Sequence, residues 1–303
     1  MCNSDKALII TPFYKPNIGG AETFSEDLAK ALSKKYVVHV CTIKRDKSTI
    51  FAGMDWKQAF FLTIKLGWSL WKLKRKYKYE KVYALGLMSC FICIMWHIKF
   101  ESIIFNIFSN RWISIILNHA NKIFVEGITV ESNLKSIGVK RIIKFQHWCD
   151  QSIFTWKDRT NKNMKVLFVG RPIQEKGKHI IQECEKLTQG IEYEYIENIP
   201  FNELPKHYQM ADVVVVPSLY NETFCRVVVE AASCGCALVV SNKGSLPEQV
   251  EGFGKTIEPT PENFRDILQK LNDNRVSLER IKLNTLVYAK KHFTESNADC
   301  FLL

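Results

Sequence analysis

The sequence predicts an α/β chain with two doubly wound parallel sheets facing a central cleft. Two observations predict it. A strand, a glycine loop, a helix and a second strand follow one another within the first forty or so residues, and the same order returns from about residue 164. The best-defined strand of the second copy, DVVVV, is continuously apolar, as a parallel strand covered on both faces should be. The 303 residues, 47% of them hydrophobic, suffice for two modest cores.

The first half opens on a strand at Ala7–Thr11 (ALIIT). The loop PFYKPNIGG follows, and then a helix over Ala21–Leu32 with Phe24, Leu28 and Leu32 on one face. Val37–Thr42 is the next strand. Val82–Ile98 is apolar for 17 residues, at the short end for a membrane span. It reads equally well as a strand followed by a buried helix. Ser102–Phe108 (SIIFNIF) reads as a further strand, which favours the α/β layer. The polar stretch Cys149–Asn163 marks the boundary, giving domains 1–155 and 156–303, with the last helix free to pack back on the first domain. Beyond it come a strand at Met164–Val169, the loop GRPIQEKG and a helix from about Lys178 to Leu187. Strands at Ile191–Glu197 and Asp212–Val216, a helix bearing Glu230, and a strand at Ala237–Ser241 complete the pattern.

Ten cysteines lie mostly in apolar contexts and lack metal-site spacing, so the reading is a reduced cytoplasmic protein without a metal. MCNSDKALIIT carries no apolar leader core before the first strand. The net charge of +11 is partly local. Between Lys65 and Lys81 stand seven cations (Lys65, Lys72, Lys74, Arg75, Lys76, Lys78, Lys81) and one acid, Glu80. Trp56, Phe60, Ile64, Trp68 and Trp71 precede or interleave them at helical spacing. Such a helix suits an anionic membrane surface, through residues 56–81, or is a core helix with a solvated outer face. No recognition module accompanies the charge, so a nucleic-acid partner is not expected.

Four places could carry chemistry. Gly19-Gly20 opens the first helix, where the backbone can approach an anion. Arg171 and Lys176 frame a loop at a strand's carboxyl end and can clamp a diphosphate, or simply face solvent. Glu222 closes a loop, and Thr223, Phe224 and Cys225 lead into a helix whose first amides can bind an anion or a sugar hydroxyl. Glu230, eight positions further on, falls within about 80° of Glu222 if both obey helical spacing. A buried acid there needs donors, either ribose hydroxyls or a protein partner.

Glu222-x7-Glu230, after ADVVVVPS and before GCALVVS, resembles the acidic motif of the retaining GT-B glycosyltransferases of family four, the glycosyl transferases group 1. GRPIQEKG resembles the loop that holds that family's Arg/Lys pair, and ITPFYKPNIGGAE its first glycine loop. HANKIFVEGITVESNLKSIGVK with WCDQSIF, and GSLPEQV, resemble further segments in the family's order. The resemblance implies two Rossmann-like domains, and transfer of a sugar from a UDP- or GDP-sugar to a glycan, lipid-linked or protein acceptor. Neither metal nor cofactor is implied, and the configuration is retained. It implies that Arg171 and Lys176 grip the diphosphate, and that Glu222 with the amides near Phe224 and Cys225 holds the donor sugar. Glu230 would then hold the ribose, and Gly19 and Gly20 would close on the phosphates. The chain departs from the family at ALGLMSC, which lacks a histidine that many relatives carry, and at Cys225 and Arg226, where glycine and an apolar residue are usual. Those departures support the alternative, a non-catalytic sugar-nucleotide-binding subunit or a partner of another glycosyltransferase.

Overall fold

The computed structural model describes residues 5–15, 19–42 and 56–303. The Pro16–Ile18 part of the first glycine loop, and the side chains of Trp56, Phe60 and Lys65, lie outside what it describes. The chain forms two compact units. Unit one comprises Met1–Glu126, Val130–Phe145 and Ala298–Leu303, and unit two comprises Gly127–Thr129 and Gln146–Asn297.

In unit one, β1 (Lys6–Ile10), α1 (Gly20–Leu32), β2 (Val37–Cys41), α2 (Trp56–Lys76), β3 (Lys81–Leu85) and α3 (Leu87–Met95) come first. β4 (Glu101–Ile104), α4 (Trp112–Leu117), β5 (Ile123–Glu126), α5 (Gly127–Ser136) and β6 (Ile142–Phe145) follow. The strands form one six-stranded sheet in the order β2-β1-β3-β4-β5-β6, and every pairing in it is parallel. Phe24, Leu28 and Leu32 of α1 are buried, as their spacing requires. The final six residues also belong here. Phe301 is fully buried, its ring 4.5 Å from that of Phe124 and 5.1 Å from that of Phe145, and its carbonyl accepts from the Tyr83 hydroxyl. β4 stops at Ile104, short of the expected Phe108, because Asn133 of α5 takes over the backbone there. Its side chain accepts from the Phe108 amide at 2.7 Å and donates to the Phe108 carbonyl at 3.0 Å. His97 and His119 sit in turns just beyond α3 and α4, and His97 has φ 49°.

Unit two holds β7 (Met164–Val169), α6 (Lys178–Leu187), β8 (Ile191–Ile196), α7 (Leu204–Met210), β9 (Val213–Val216) and α8 (Arg226–Ser233). β10 (Ala237–Ser241), α9 (Leu246–Gln249), β11 (Lys255–Ile257), α10 (Pro261–Asp273) and α11 (Arg275–His292) complete it. Its five strands run parallel in the order β11-β10-β9-β7-β8. β9 and β10 are buried along their whole length. α10 starts at Thr260, whose hydroxyl accepts from the Asn263 amide, with Pro261 supplying a first-turn φ.

Asp212 ties the sheet to α11. Its carboxylate accepts from Asn161 Nδ2 at 2.9 Å, the Lys165 amide at 3.0 Å and Lys282 Nζ at 3.0 Å. Burial alone would raise its pKa, but these donors outweigh burial and hold it below the usual value of 3.8. A depressed carboxylate contributes stability above its unfolded pKa and loses it as pH falls through the folded value. Asp212→Asn is therefore expected to cost about 3 kcal/mol near neutral pH. The deficit should shrink below about pH 3. Urea unfolding at the two pH values checks this, and an equal deficit at both would remove the charge from the argument.

Candidate active site

β7 and β9 are neighbours in the sheet, so the loops at their carboxyl ends lie side by side. The loop after β7 carries Gly170, Arg171 and a short 3-10 turn at Gln174–Lys176. Gly177 closes that turn with φ 73°, and a Cβ on it would overlap the carbonyl of Pro217. Glycine is needed there on both counts. The close approach is stitched by the Leu219 amide, which donates to the Glu175 carbonyl at 2.8 Å. These contacts bring Lys176 Nζ to 2.6 Å from Glu222 Oε1.

Glu222 is 3% exposed and held on all sides. Ser218 Oγ donates to Oε1 at 2.7 Å and the Tyr220 hydroxyl to Oε2 at 2.6 Å. Its own carbonyl accepts from the Ser245 amide at 2.8 Å. Behind it runs Gly244, with φ 59°, where a Cβ would overlap the Glu222 amide nitrogen and carbonyl oxygen. Gly244→Ala is expected to displace this carboxylate and to cost about 1–3 kcal/mol of stability. Urea unfolding beside a thermal melt measures the loss. Burial works against the Lys176 ammonium, but Glu222, with Cys225 and Tyr220 close by, holds its pKa above the ordinary lysine range. Lys176 is therefore held as the ammonium. Burial pushes the Cys225 thiol up to about 12, so it is a neutral packing group rather than a nucleophile.

A second polar cluster lies along α8. Glu230 is 4% exposed. Its Oε1 accepts from Arg226 Nε at 3.1 Å and its Oε2 from the Tyr208 hydroxyl at 3.1 Å. Arg226 Nη1 donates to His147 Nε2 at 2.6 Å. Arginine is only a donor, so Nε2 is the acceptor and the ring proton sits on Nδ1. Burial first, and the Arg226 charge second, push the His147 pKa well below its ordinary value. The Phe224 ring, 4.4 Å from that of His147, lies at the helix entrance.

Several expectations change. Lys176, Glu222 and Cys225 are brought together, but Arg171 is exposed and makes no ion pair among the described residues. Glu222 is not on the helix, which begins at Arg226, so helical spacing does not set its relation to Glu230. Protein donors meet both carboxylate oxygens of Glu230. Thr223 and Phe224 are half-buried in the loop. The Cys225 amide is taken by Gln249 Oε1 at 3.2 Å. Gly19 precedes α1 and Gly20 opens it, in unit one, and the φ of Gly19 at 169° is one any residue adopts. Sequence reasoning missed Ser218, Tyr220, Gly244 and His147. Ser218 and Tyr220 had a local signal, standing four and two residues before Glu222. His147, 79 residues from Arg226, had none.

Residues 140–286 match the family described as glycosyl transferases group 1. A stretch of 85 residues is 39% identical to D-inositol 3-phosphate glycosyltransferase of Corynebacterium jeikeium (strain K411), covering 26% of this chain and 20% of that protein. The match thus spans about a fifth of the relative's length. Among solved structures, sucrose-phosphate synthase from Thermosynechococcus elongatus superposes with a TM-score of 0.85 at 16% identity, covering 98% of this chain and 97% of the other. Anabaena HepE in complex with UDP-glucose gives 0.75 at 15% identity, covering 98% of each. At those identities the likeness speaks for the fold, two Rossmann-like parallel sheets of the GT-B kind. The segment that matches the glycosyl transferases group 1 family, residues 140–286, is just under half of the chain and carries the Lys176, Glu222 and Glu230 positions.

Proposed function

We propose that this chain is a retaining glycosyltransferase that moves a sugar from a UDP- or GDP-sugar to a glycan, lipid-linked or protein acceptor, with no metal or cofactor. The observation that carries the reading is the contact of the half-buried Lys176 ammonium with the buried Glu222 carboxylate at the carboxyl ends of β7 and β9, 2.6 Å apart. Ligands bind at such strand ends in open α/β sheets. In this reading Lys176 neutralises charge growing on the departing diphosphate, the electrostatic effect that dominates such sites. Arg171, free to move in solvent, folds onto the same diphosphate. Glu222 accepts from hydroxyls of the donor sugar as an oxocarbenium-like centre forms. Thr223 and Phe224 offer backbone at the entrance of α8, where Cys225 packs beneath them, Glu230 faces the ribose, and Gly19 and Gly20 admit the phosphates. The cysteines described are free thiols, which fits a reducing cytoplasm.

The test is nucleotide release from a panel of UDP- and GDP-sugars, with and without EDTA, for the wild type, Arg171→Ala and Glu222→Gln. Release from one donor, insensitive to EDTA and lost in both variants, supports the reading. NMR of the product's anomeric proton tests retention. The pairing of Glu230 with Arg226 favours a second reading, a sugar-nucleotide-binding subunit that does no chemistry. Tight binding without release, whatever acceptor is added, would select it. Failure of every donor to bind would end both.

A further inference from the structure

Unit one exposes large apolar side chains on α2, α3 and α4. At 100° per residue, Trp68, Trp71, Lys72 and Arg75 of α2 fall within an arc of about 100°, opposite the buried Leu66 and Leu70. The two indoles stack at 5.4 Å. Arg75 lies over the Trp71 ring at 4.4 Å, and Lys72 over that of Trp68 at 5.6 Å. α3 packs between α2 and α4, and it approaches α2 closely at Gly67, where any Cβ would overlap the Trp96 indole. α3 and α4 continue the apolar surface, with Met95 53% exposed, Trp112 75% exposed, and Phe91 and Ile115 also in solvent. Three neighbouring helices thus present large apolar side chains outward, where scattered single ones would need no explanation.

The charge around them has one sign. From Trp56 to Leu117 the chain has ten lysines and arginines and two acids, Glu80 and Glu101. Glu101 is buried and paired with Lys81 at 3.1 Å. We propose that the α2–α3–α4 face docks unit one on the surface of an anionic lipid bilayer, indoles among the headgroups and cations on the phosphates. Indole with lysine and arginine on one helix face suits that interface. A second copy of this chain would bring cations against cations, and a protein interface would be poor in lysine. Among the described residues no helix is long and apolar enough to cross a membrane, so the contact is lateral. The proposal does not depend on the identity of the donor.

Co-sedimentation of the full chain at low salt with phosphatidylcholine vesicles, with and without phosphatidylglycerol, tests it. The expected result is binding that requires phosphatidylglycerol. It should weaken about tenfold or more in Trp68→Ser/Trp71→Ser and in Lys72→Glu/Arg75→Glu. Thermal melts confirm folding, and Trp112→Ser, on a different helix, gives the same answer if either double variant misfolds. No binding to anionic vesicles, equal binding to neutral ones, or wild-type binding by the folded variants would overturn the proposal. So would self-association that these variants abolish while vesicle binding is absent.

Discussion

Lys176→Met is expected to slow nucleotide release about a hundred- to a thousandfold, mainly in kcat. The substitution keeps most of the aliphatic stem and removes the charge. Glu222 would not be orphaned, since Ser218 and Tyr220 still donate to it at 2.7 and 2.6 Å. Folding should therefore survive, and a thermal melt beside the rate measurement separates the two effects. In the proposed transfer, charge grows as the bond to diphosphate breaks, and an ammonium in a partly desolvated site stabilises it more than water does. A raised lysine pKa contributes stability below the unfolded value of 10.5 and loses it only as pH rises through the folded value. The Lys176 charge is thus constant across neutral pH. Glu222→Gln makes the complementary change. Without the carboxylate, burial dominates and the Lys176 pKa falls, so the alkaline limb of any activity profile should move to lower pH. A rate within about threefold of wild type for Lys176→Met, with the fold intact, would take Lys176 out of the chemistry.

Arg226→Leu is expected to destabilise this protein by about 3–5 kcal/mol near pH 8. Here the guanidinium serves two groups at once, Glu230 at 3.1 Å and His147 at 2.6 Å. Its removal leaves a buried carboxylate with one donor fewer. The deficit should shrink toward about pH 5, and the sign follows from linkage. His147 is held neutral, so its contribution is present above its unfolded pKa of 6.5 and is lost as pH falls toward the lower folded value. Removing Arg226 relieves part of that depression, so the variant loses less on acidification than the wild type. Urea unfolding at both pH values measures the difference, and a deficit that does not change with pH would uncouple His147 from Arg226. Arg226→Lys should not rescue, because one ammonium cannot reproduce a fork that reaches two partners in different directions. A rise in donor KM in step with the stability loss would tie Glu230 to ribose binding. An unchanged KM would leave it structural.

The sequence by itself determined the alternation of parallel strands and helices. β7, α6 and β10 begin and end where the pattern of apolar residues places them. That information is local, because burial of one face imposes a period of 3.6 on a helix, and burial on both faces a continuous apolar run on a strand. The placement of Lys176 and Glu222 in loops after strands was legible for the same reason. What only the tertiary structure decided is which groups meet. Lys176 and Arg171 share a loop, yet one turns inward to a carboxylate 46 positions away and the other faces solvent. Glu230 finds Arg226 within its own helix, but Arg226 finds His147 from a segment 79 positions away. Gly244 owes its importance to a loop carrying Glu222 that folds against it. Side chains so far apart in sequence meet only when neighbouring strands bring their loops together, and no period along the chain records such a meeting.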